Sequence, residues 1–187
     1  MLRTRVGYAG GDKTNPTYYA MGDHTEAITI DYDPAVLSYD DLLKHFWQGH
    51  RCDQVNSSVQ YMNAVFYRDE AQKKRAEVSL TAEAGRRGIS EDEVETKILP
   101  IKKFTYAEGY HQKYYLTRYR DLRDFLNEAY PDAKSLADST VATRLNAFLG
   151  SGMDKDWESF LQELPKYDLP EEMESALRKG ANSKVEN

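Results

Sequence analysis

Residues 25–32 constrain the fold more than any other stretch, because the hydrophobic period changes directly after them. They alternate with period two, so one face of a strand would carry Glu26, Ile28, Ile30 and Tyr32. Pro34 ends the strand, and residues 38–47 then follow helical spacing. Ser38 is the expected N-cap of this helix, and Asp41 completes a capping box. A strand that leads into a capped helix predicts a chain of mixed α+β class.

Glu26 is unexpected on an apolar strand face. We expect this face to be buried, and Glu26 with it. Burial of a carboxyl group without a charged partner favours its protonated form, which is the form that a general acid needs near neutral pH. Glu26 is therefore the first candidate for a catalytic residue.

Size and charge limit the classes of function. The chain has 187 residues, enough for one domain with a sizeable core. Its formal charge is -6, with 31 acidic and 25 basic residues, so no basic patch points to nucleic acid. No apolar run approaches the roughly 20 residues of a membrane span, and the first residues lack the apolar part of a signal peptide. We therefore expect a cytoplasmic protein with neither nucleic acid nor membrane among its partners.

The remaining pattern predicts three further strands and two further helices before residue 135. The strands are expected at 2–8, at 59–67 as a buried strand, and at 96–108 as an edge strand interrupted by Pro100. The helices are expected at 69–88 and, as one long aromatic helix, at 107–130. From residue 135 the chain changes to short helical patterns separated by glycine and proline. This change predicts a domain at 1–134 and a helical extension at 135–187.

Five segments rich in tyrosine, glutamate or histidine lie where loops meet strands. They read GYAGG, NPTYY, GDHTEA, QYMNAVFY and AEGYHQKYY. Together they strongly resemble the peptide methionine sulfoxide reductase A family, over residues 6–115. The resemblance implies a ferredoxin-like α+β fold and reduction of methionine-S-sulfoxide, in proteins or as the free amino acid. It also implies a monomer without a bound cofactor, reduced by an external thiol such as thioredoxin or dithiothreitol.

The resemblance also assigns residues to roles. Tyr18 and Tyr61 would donate hydrogen bonds to the sulfoxide oxygen, and Glu26 would protonate it. Such donors are needed because attack on sulfur leaves a developing oxyanion. An acidic residue that family members often carry before the QY pair has no clear match, and Asn56 and Asp53 are the nearest candidates for this substrate-binding position.

The main departure from the family is the nucleophile. The family carries a Gly-Cys-Phe-Trp motif at the end of a strand before GYAGG, and this sequence does not contain that motif. We expect the family's first strand and helix to be missing from this chain, as in a fragment or a product of a wrongly chosen start codon. The alternative is an inactive homologue that acts as a non-catalytic sulfoxide-binding or interaction module.

Cys52 is the only cysteine, which excludes an intramolecular disulfide. Its loop suggests exposure, and His50 and Arg51 would favour its thiolate while Asp53 would oppose it. Cys52 is therefore a possible substitute nucleophile, although an incidental exposed cysteine fits the pattern better.

Two other clusters are weaker candidates. A zinc site is not expected, because the spacing of His24, His45, His50 and Cys52 does not match a usual ligand set. The rings of Tyr110, Tyr114 and Tyr115 are expected to pack in the core, with the hydroxyl groups at its rim.

Overall fold

The computed structural model describes residues 2–150 and 157–185 of the chain. These residues form a mixture of helices and short strands, which confirms the α+β class. The structure divides into two compact units, one with Leu2 and Val6–Glu108, the other with Arg3–Arg5 and the chain from Gly109 onward. The predicted domain boundary after residue 134 stays a prediction.

Two small sheets form the strand part of the structure. Strands β1 (Arg3–Ala9), β2 (Thr25–Asp31) and β5 (Phe104–Tyr106) have the order β2-β1-β5, with β1 and β5 antiparallel. Strands β3 (Ala64–Tyr67) and β4 (Lys97–Pro100) are a parallel pair. The predicted strand at 96–108 is therefore two strands in different sheets, and Pro100 is the last residue of β4.

Helices α1 (Tyr39–Gln48) and α2 (Glu70–Arg87) belong to the first unit. The predicted capping box of α1 is present, since the Ser38 hydroxyl accepts from the Asp41 amide at 3.1 Å and the Asp41 carboxylate accepts from the Ser38 amide at 3.0 Å. Helix α2 ends, as predicted, at Gly88, whose φ of +71° suits glycine.

The second unit is helical. It contains α3 (Tyr114–Thr117), α4 (Arg123–Ala129), α5 (Ala133–Asp138), α6 (Thr140–Gly150), α7 (Trp157–Glu163) and α8 (Glu171–Val185). Its core joins residues from these helices and the turns between them, including Leu116, Leu122, Leu145, Phe160, Leu164 and Leu177.

The predicted long helix at 107–130 was wrong. The structure has short helical pieces there, and Lys113 adopts a left-handed conformation with φ of 49° directly before α3. The predicted core packing of the tyrosines is wrong as well, because the exposed fractions of Tyr110, Tyr114 and Tyr115 are 58%, 47% and 52%. Helical spacing of aromatic residues does not show where a backbone leaves the helical region.

The prediction for the face of β2 also fails. Thr25 is buried, whereas Glu26 and Ile28 are exposed. The predicted strand at 59–67 begins only at Ala64, and a short 3-10 turn occupies Val59–Tyr61. The Val59 carbonyl in this turn accepts a hydrogen bond of 2.8 Å from the Thr25 hydroxyl, so Thr25 faces inward.

Candidate active site

The start of β2 and the 3-10 turn bring Glu26 and Tyr61 together through a third residue. Gln60 donates a hydrogen bond from Nε2 to Oε1 of Glu26, at 2.8 Å, and lies 3.2 Å from the Tyr61 hydroxyl. Because the Thr25 hydroxyl holds the turn against β2, this arrangement rests on the backbone as well as on the side chains.

Tyr18 approaches the same point from the loop between β1 and β2. Hydrogen bonding with the neighbouring Tyr61 hydroxyl is the main cause that raises the pKa of Tyr18 above its ordinary value, and the charges of Tyr61 and Glu26 act in the same direction. The structure thus groups the three residues to which the resemblance assigned the chemistry, although their roles stay predictions.

The loop that carries Tyr18 is held by its own hydrogen bonds. His24 is buried, and its Nδ1 accepts from the Gly11 amide at 3.3 Å while its Nε2 lies 2.8 Å from the Lys13 carbonyl. The carboxylate of Asp23 accepts from the amides of Asp12 and Lys13, and these bonds lower the pKa of Asp23. A loop fixed in this way can present a side chain in one orientation.

A cavity of about 350 Å³ opens beside Glu26 in the first unit. Most of its lining is apolar and comes from β2, α1 and β3, including Ile28, Phe46 and Phe66. An apolar cavity with a carboxyl group at its edge suits a ligand that is apolar over most of its length and polar at one atom.

Cys52 is not part of this site. Its exposed fraction is 0%, and it packs in a core cluster with Leu43, Trp47, Ala76, Ala84 and Val94. The predicted exposure was therefore wrong, and the reason is tertiary, since α1 and α2 close over the loop. A thiol that solvent cannot reach cannot approach a substrate sulfur within about 3 Å, the distance that attack requires.

The loop before the QY pair gives no clear acidic partner. Asp53 forms an ion pair with Arg51 at 2.8 Å, and this hydrogen bond lowers the pKa of Asp53. Asn56 is half-buried in the same loop, and its assignment to substrate binding stays a prediction.

Sequence reasoning missed Gln60. The QY pair was recognised for its tyrosine alone, yet the glutamine joins that tyrosine to Glu26. The adjacency of a donor side chain and a candidate oxyanion donor was the available signal. The direction in which the Gln60 side chain points could not be predicted from the sequence, because a 3-10 turn and a strand place neighbouring side chains differently.

In the described part of the chain, no group of three or more His, Cys, Asp or Glu residues is arranged to hold a metal ion. No described helix combines the length and the apolar character that crossing a membrane requires.

Two phenol hydroxyls, a carboxyl group and an amide thus lie together on an α+β scaffold, and groups of these kinds can form hydrogen bonds to a polar oxygen. The family model described as peptide methionine sulfoxide reductase matches residues 1–140. The chain belongs to the peptide methionine sulfoxide reductase family.

Similar proteins support this assignment. A peptide methionine sulfoxide reductase of Drosophila melanogaster is 44% identical over 150 residues, which are 80% of this chain and 59% of that protein. The MsrA protein of Leifsonia xyli is 41% identical over 119 residues, 61% of this chain and 70% of that protein. The crystal structure of reduced Mxr1 from Saccharomyces cerevisiae superposes with a TM-score of 0.55 at 27% identity, covering 59% of this chain and 68% of Mxr1. The chain thus spans about three fifths of the length of the fly relative.

Proposed function

We propose that this chain supplies the oxygen-binding and proton-donating part of a methionine-S-sulfoxide reductase site. The observation that carries the proposal is the cluster of Tyr18, Tyr61 and Glu26, because the Glu26 side chain of this cluster also lines an apolar cavity. The substrate is methionine-S-sulfoxide, in a protein or as the free amino acid, with its apolar side chain in the cavity and its oxygen at the cluster.

The hydrogen bonds at the cluster determine which oxygen of Glu26 carries the proton that is transferred. Gln60 donates to Oε1 of Glu26, so the proton of a neutral Glu26 resides on Oε2. Glu26 lines the cavity, so the oxygen of a substrate bound there lies beside this proton, and Glu26 acts as the acid even though it is exposed in the free chain.

Tyr61 stabilises the charge that develops on oxygen directly, and Tyr18 does so through Tyr61. The Tyr61 oxygen lies within reach of the Gln60 amide and of the Tyr18 hydroxyl, which leaves the Tyr61 proton to donate to the substrate. A thiolate attacks the sulfoxide sulfur, Glu26 gives its proton to the oxygen, and methionine leaves while the thiol becomes a sulfenic acid. A second thiol then forms a disulfide with the sulfenic acid and releases water.

The attacking thiol is not Cys52, because Cys52 is buried. We propose an external thiol of the thioredoxin type, replaced by dithiothreitol in an assay, and no bound cofactor or metal. We also propose that the chain acts as a monomer in the cytoplasm. Asn56 completes the substrate-binding residues of this proposal.

A second function follows from the same observation. With its only thiol buried and its oxygen-binding cluster formed, the chain would bind sulfoxide-containing peptides without turnover. Binding and turnover therefore need separate measurements.

The test uses the purified 187-residue chain and its Cys52→Ser variant. Isothermal titration calorimetry with methionine-S-sulfoxide, its R epimer and methionine should show binding of the S epimer alone. Consumption of the S epimer with dithiothreitol should be equal in both proteins. No binding by a folded chain contradicts the proposal, and turnover that disappears in Cys52→Ser shows that Cys52 is the nucleophile after all. Binding without turnover supports the second function.

A further inference from the structure

Glu108, the glutamate of AEGYHQ, joins two tyrosines that lie far from it in sequence. Its Oε2 accepts a hydrogen bond of 2.5 Å from the hydroxyl of Tyr8, which is 1% exposed. Its Oε1 accepts a hydrogen bond of 3.0 Å from the backbone amide of Tyr18. One carboxylate therefore connects the sheet with the residue that supplies a hydroxyl to the candidate active site.

Glu108 itself is held by the sheet. The amide of the preceding residue, Ala107, donates to the Val6 carbonyl at 3.1 Å, which continues the antiparallel pairing of β5 with β1. In that pairing Tyr8 lies opposite Thr105, and Tyr8, Met21 and Ala107 form a small buried cluster. Because Tyr8 lies in β1 and Glu108 directly follows a residue that is hydrogen-bonded to β1, the carboxylate has little freedom to move.

The segment around Tyr18 depends on such a contact. Thr17 and Ala20 are paired through their backbones, with the Ala20 amide donating to the Thr17 carbonyl at 3.0 Å, so Tyr18 and Tyr19 form the tip of a tight turn. Tyr19 is 90% exposed, whereas Tyr18 is half-buried and turned toward Tyr61. A hydrogen bond to the amide of Tyr18 fixes the rotation of this tip relative to the sheet.

We propose that Glu108 is a positioning residue that holds the Tyr18 hydroxyl against Tyr61 and Glu26 by binding the Tyr18 backbone amide. The geometric part concerns the free chain alone, and only its consequence for substrate rests on the function proposed above. Charge at Glu108 is not what matters, since the amide needs an acceptor atom and not an anion.

The experiment reads the ionisation of Tyr18 directly. Tyrosine labelled with carbon-13 at Cζ gives an NMR signal that moves when the phenol ionises, and Tyr18→Phe identifies the signal of Tyr18. In the parent chain Tyr18 should ionise above the ordinary tyrosine value of about 10. In Glu108→Ala the hydroxyl should leave Tyr61, and the midpoint should return toward that ordinary value.

Two variants separate geometry from charge and from general destabilisation. Glu108→Gln keeps an oxygen that accepts from the Tyr18 amide, and its NH2 group can donate to the Tyr8 hydroxyl oxygen, so the midpoint should stay raised. Tyr8→Phe removes only the hydrogen bond between the Tyr8 hydroxyl and Glu108, and it should also leave the midpoint of Tyr18 ionisation raised. If Glu108→Ala does not fold by circular dichroism, Glu108→Asp replaces it, because its side chain is one methylene shorter and no longer reaches the Tyr18 amide.

Binding of methionine-S-sulfoxide to the same variants is the second readout. Affinity should fall about tenfold or more in Glu108→Ala and be restored in Glu108→Gln. A Tyr18 midpoint that is the same in Glu108→Ala, or in Glu108→Asp where the former is unfolded, overturns the proposal, as does a midpoint that falls equally in Glu108→Gln. A midpoint that follows the prediction in a chain that binds no sulfoxide supports the positioning role and contradicts the proposed function.

Discussion

At the scale of single residues, Gln60 shows how an uncharged side chain can organise a site. Its amide donates to Glu26 and lies beside the Tyr61 hydroxyl, so it fixes the acid and one hydrogen-bond donor relative to each other. A side chain further along the chain could not contact both Glu26 and Tyr61, and the residue directly before Tyr61 is therefore the one that makes these contacts.

Replacing Gln60 with methionine tests this connection. Gln60→Met keeps the size of the side chain and removes both donated hydrogen bonds, which are worth on the order of 1 kcal/mol each. Loss of both, about 2 kcal/mol, should make methionine-S-sulfoxide bind about 30 times more weakly by isothermal titration calorimetry. Gln54→Met, at an exposed glutamine of the preceding loop, is the matched control and should bind as the parent chain does. Equal loss in both variants would contradict the role of Gln60.

Lys113 is a residue-scale feature of the second unit. It is 5% exposed, and its Nζ binds the Thr4 carbonyl and, at 2.9 Å, the Ala137 carbonyl. Burial is the main cause that lowers the pKa of Lys113 to about 8, and the charge of Arg5 adds to it.

This shift predicts how stability depends on pH. The unfolded chain holds the Lys113 proton up to about pH 10.5, whereas the folded chain releases it near pH 8. Between these values the unfolded state binds more protons, so the free energy of unfolding contributed by Lys113 rises with pH. In urea titrations, the free energy of unfolding of the parent chain should rise over this pH range by up to about 3 kcal/mol relative to that of Lys113→Met. Parallel curves would show that Lys113 does not titrate there.

At the scale of elements, the C-terminal turn of α2 anchors the loop that contains Cys52. Glu83 in α2 accepts hydrogen bonds from Arg86 at 2.7 Å and from Arg87 at 2.5 Å, and Arg87 also donates to the His50 carbonyl at 3.0 Å. The hydrogen bond from Arg86 is the largest cause that lowers the pKa of Glu83 to about 2.

Glu83→Gln should weaken this anchor. The folded-state pKa lies below the unfolded value of 4.5, so the stabilisation is complete above pH 4.5 and is lost as the pH falls toward 2. We expect a loss of about 2 kcal/mol at pH 7, a modest value because Arg86 is largely exposed to solvent. Glu77→Gln, whose ion pair with Lys73 on the same helix is long and exposed, should change the free energy of unfolding by less than about 0.5 kcal/mol. If the two variants lose equal stability at pH 7, the anchor contributes nothing specific.

The elements also differ in how well sequence predicts them. Helices α1 and α2 follow from local signals, the capping box at Ser38 and the glycine at residue 88. The predicted helix at 107–130 fails because a left-handed residue, Lys113, interrupts it, and in this conformation the buried ammonium group of Lys113 donates to the Ala137 carbonyl. This contact involves Ala137, which is distant in the sequence, so the local sequence pattern does not show it.

At the scale of the whole molecule, each compact unit has its own buried core. Cys52 lies in the core of the first unit and is a natural probe of that unit's opening. Residues from α1 and α2 surround it, so reagents reach the thiol only when these helices separate.

Thiol labelling measures this protection. The native chain should react with 5,5′-dithiobis(2-nitrobenzoic acid) at least about 100-fold more slowly than the urea-unfolded chain. The rate should rise as urea is added below the main transition, because opening of the first unit limits it. Rapid labelling of the native chain would contradict the burial of Cys52 and would restore it as a candidate nucleophile.

The sequence by itself determined the features that depend on neighbours in the chain or on a set of motifs. The α+β class and the two capped helices follow from hydrophobic period and capping residues, because these signals act within a few residues. The grouping of Tyr18, Glu26 and Tyr61 was expected only from the resemblance of five motifs to a family.

The tertiary structure decided what depends on contacts between distant segments. On β2 the Thr25 side chain faces inward and donates to the Val59 carbonyl, whereas Glu26 faces outward against the local pattern. The burial of Cys52 and the anchoring of Tyr18 by Glu108 likewise come from elements far apart in sequence. Alternation and spacing record which side chains share a face, but only packing determines which face is covered.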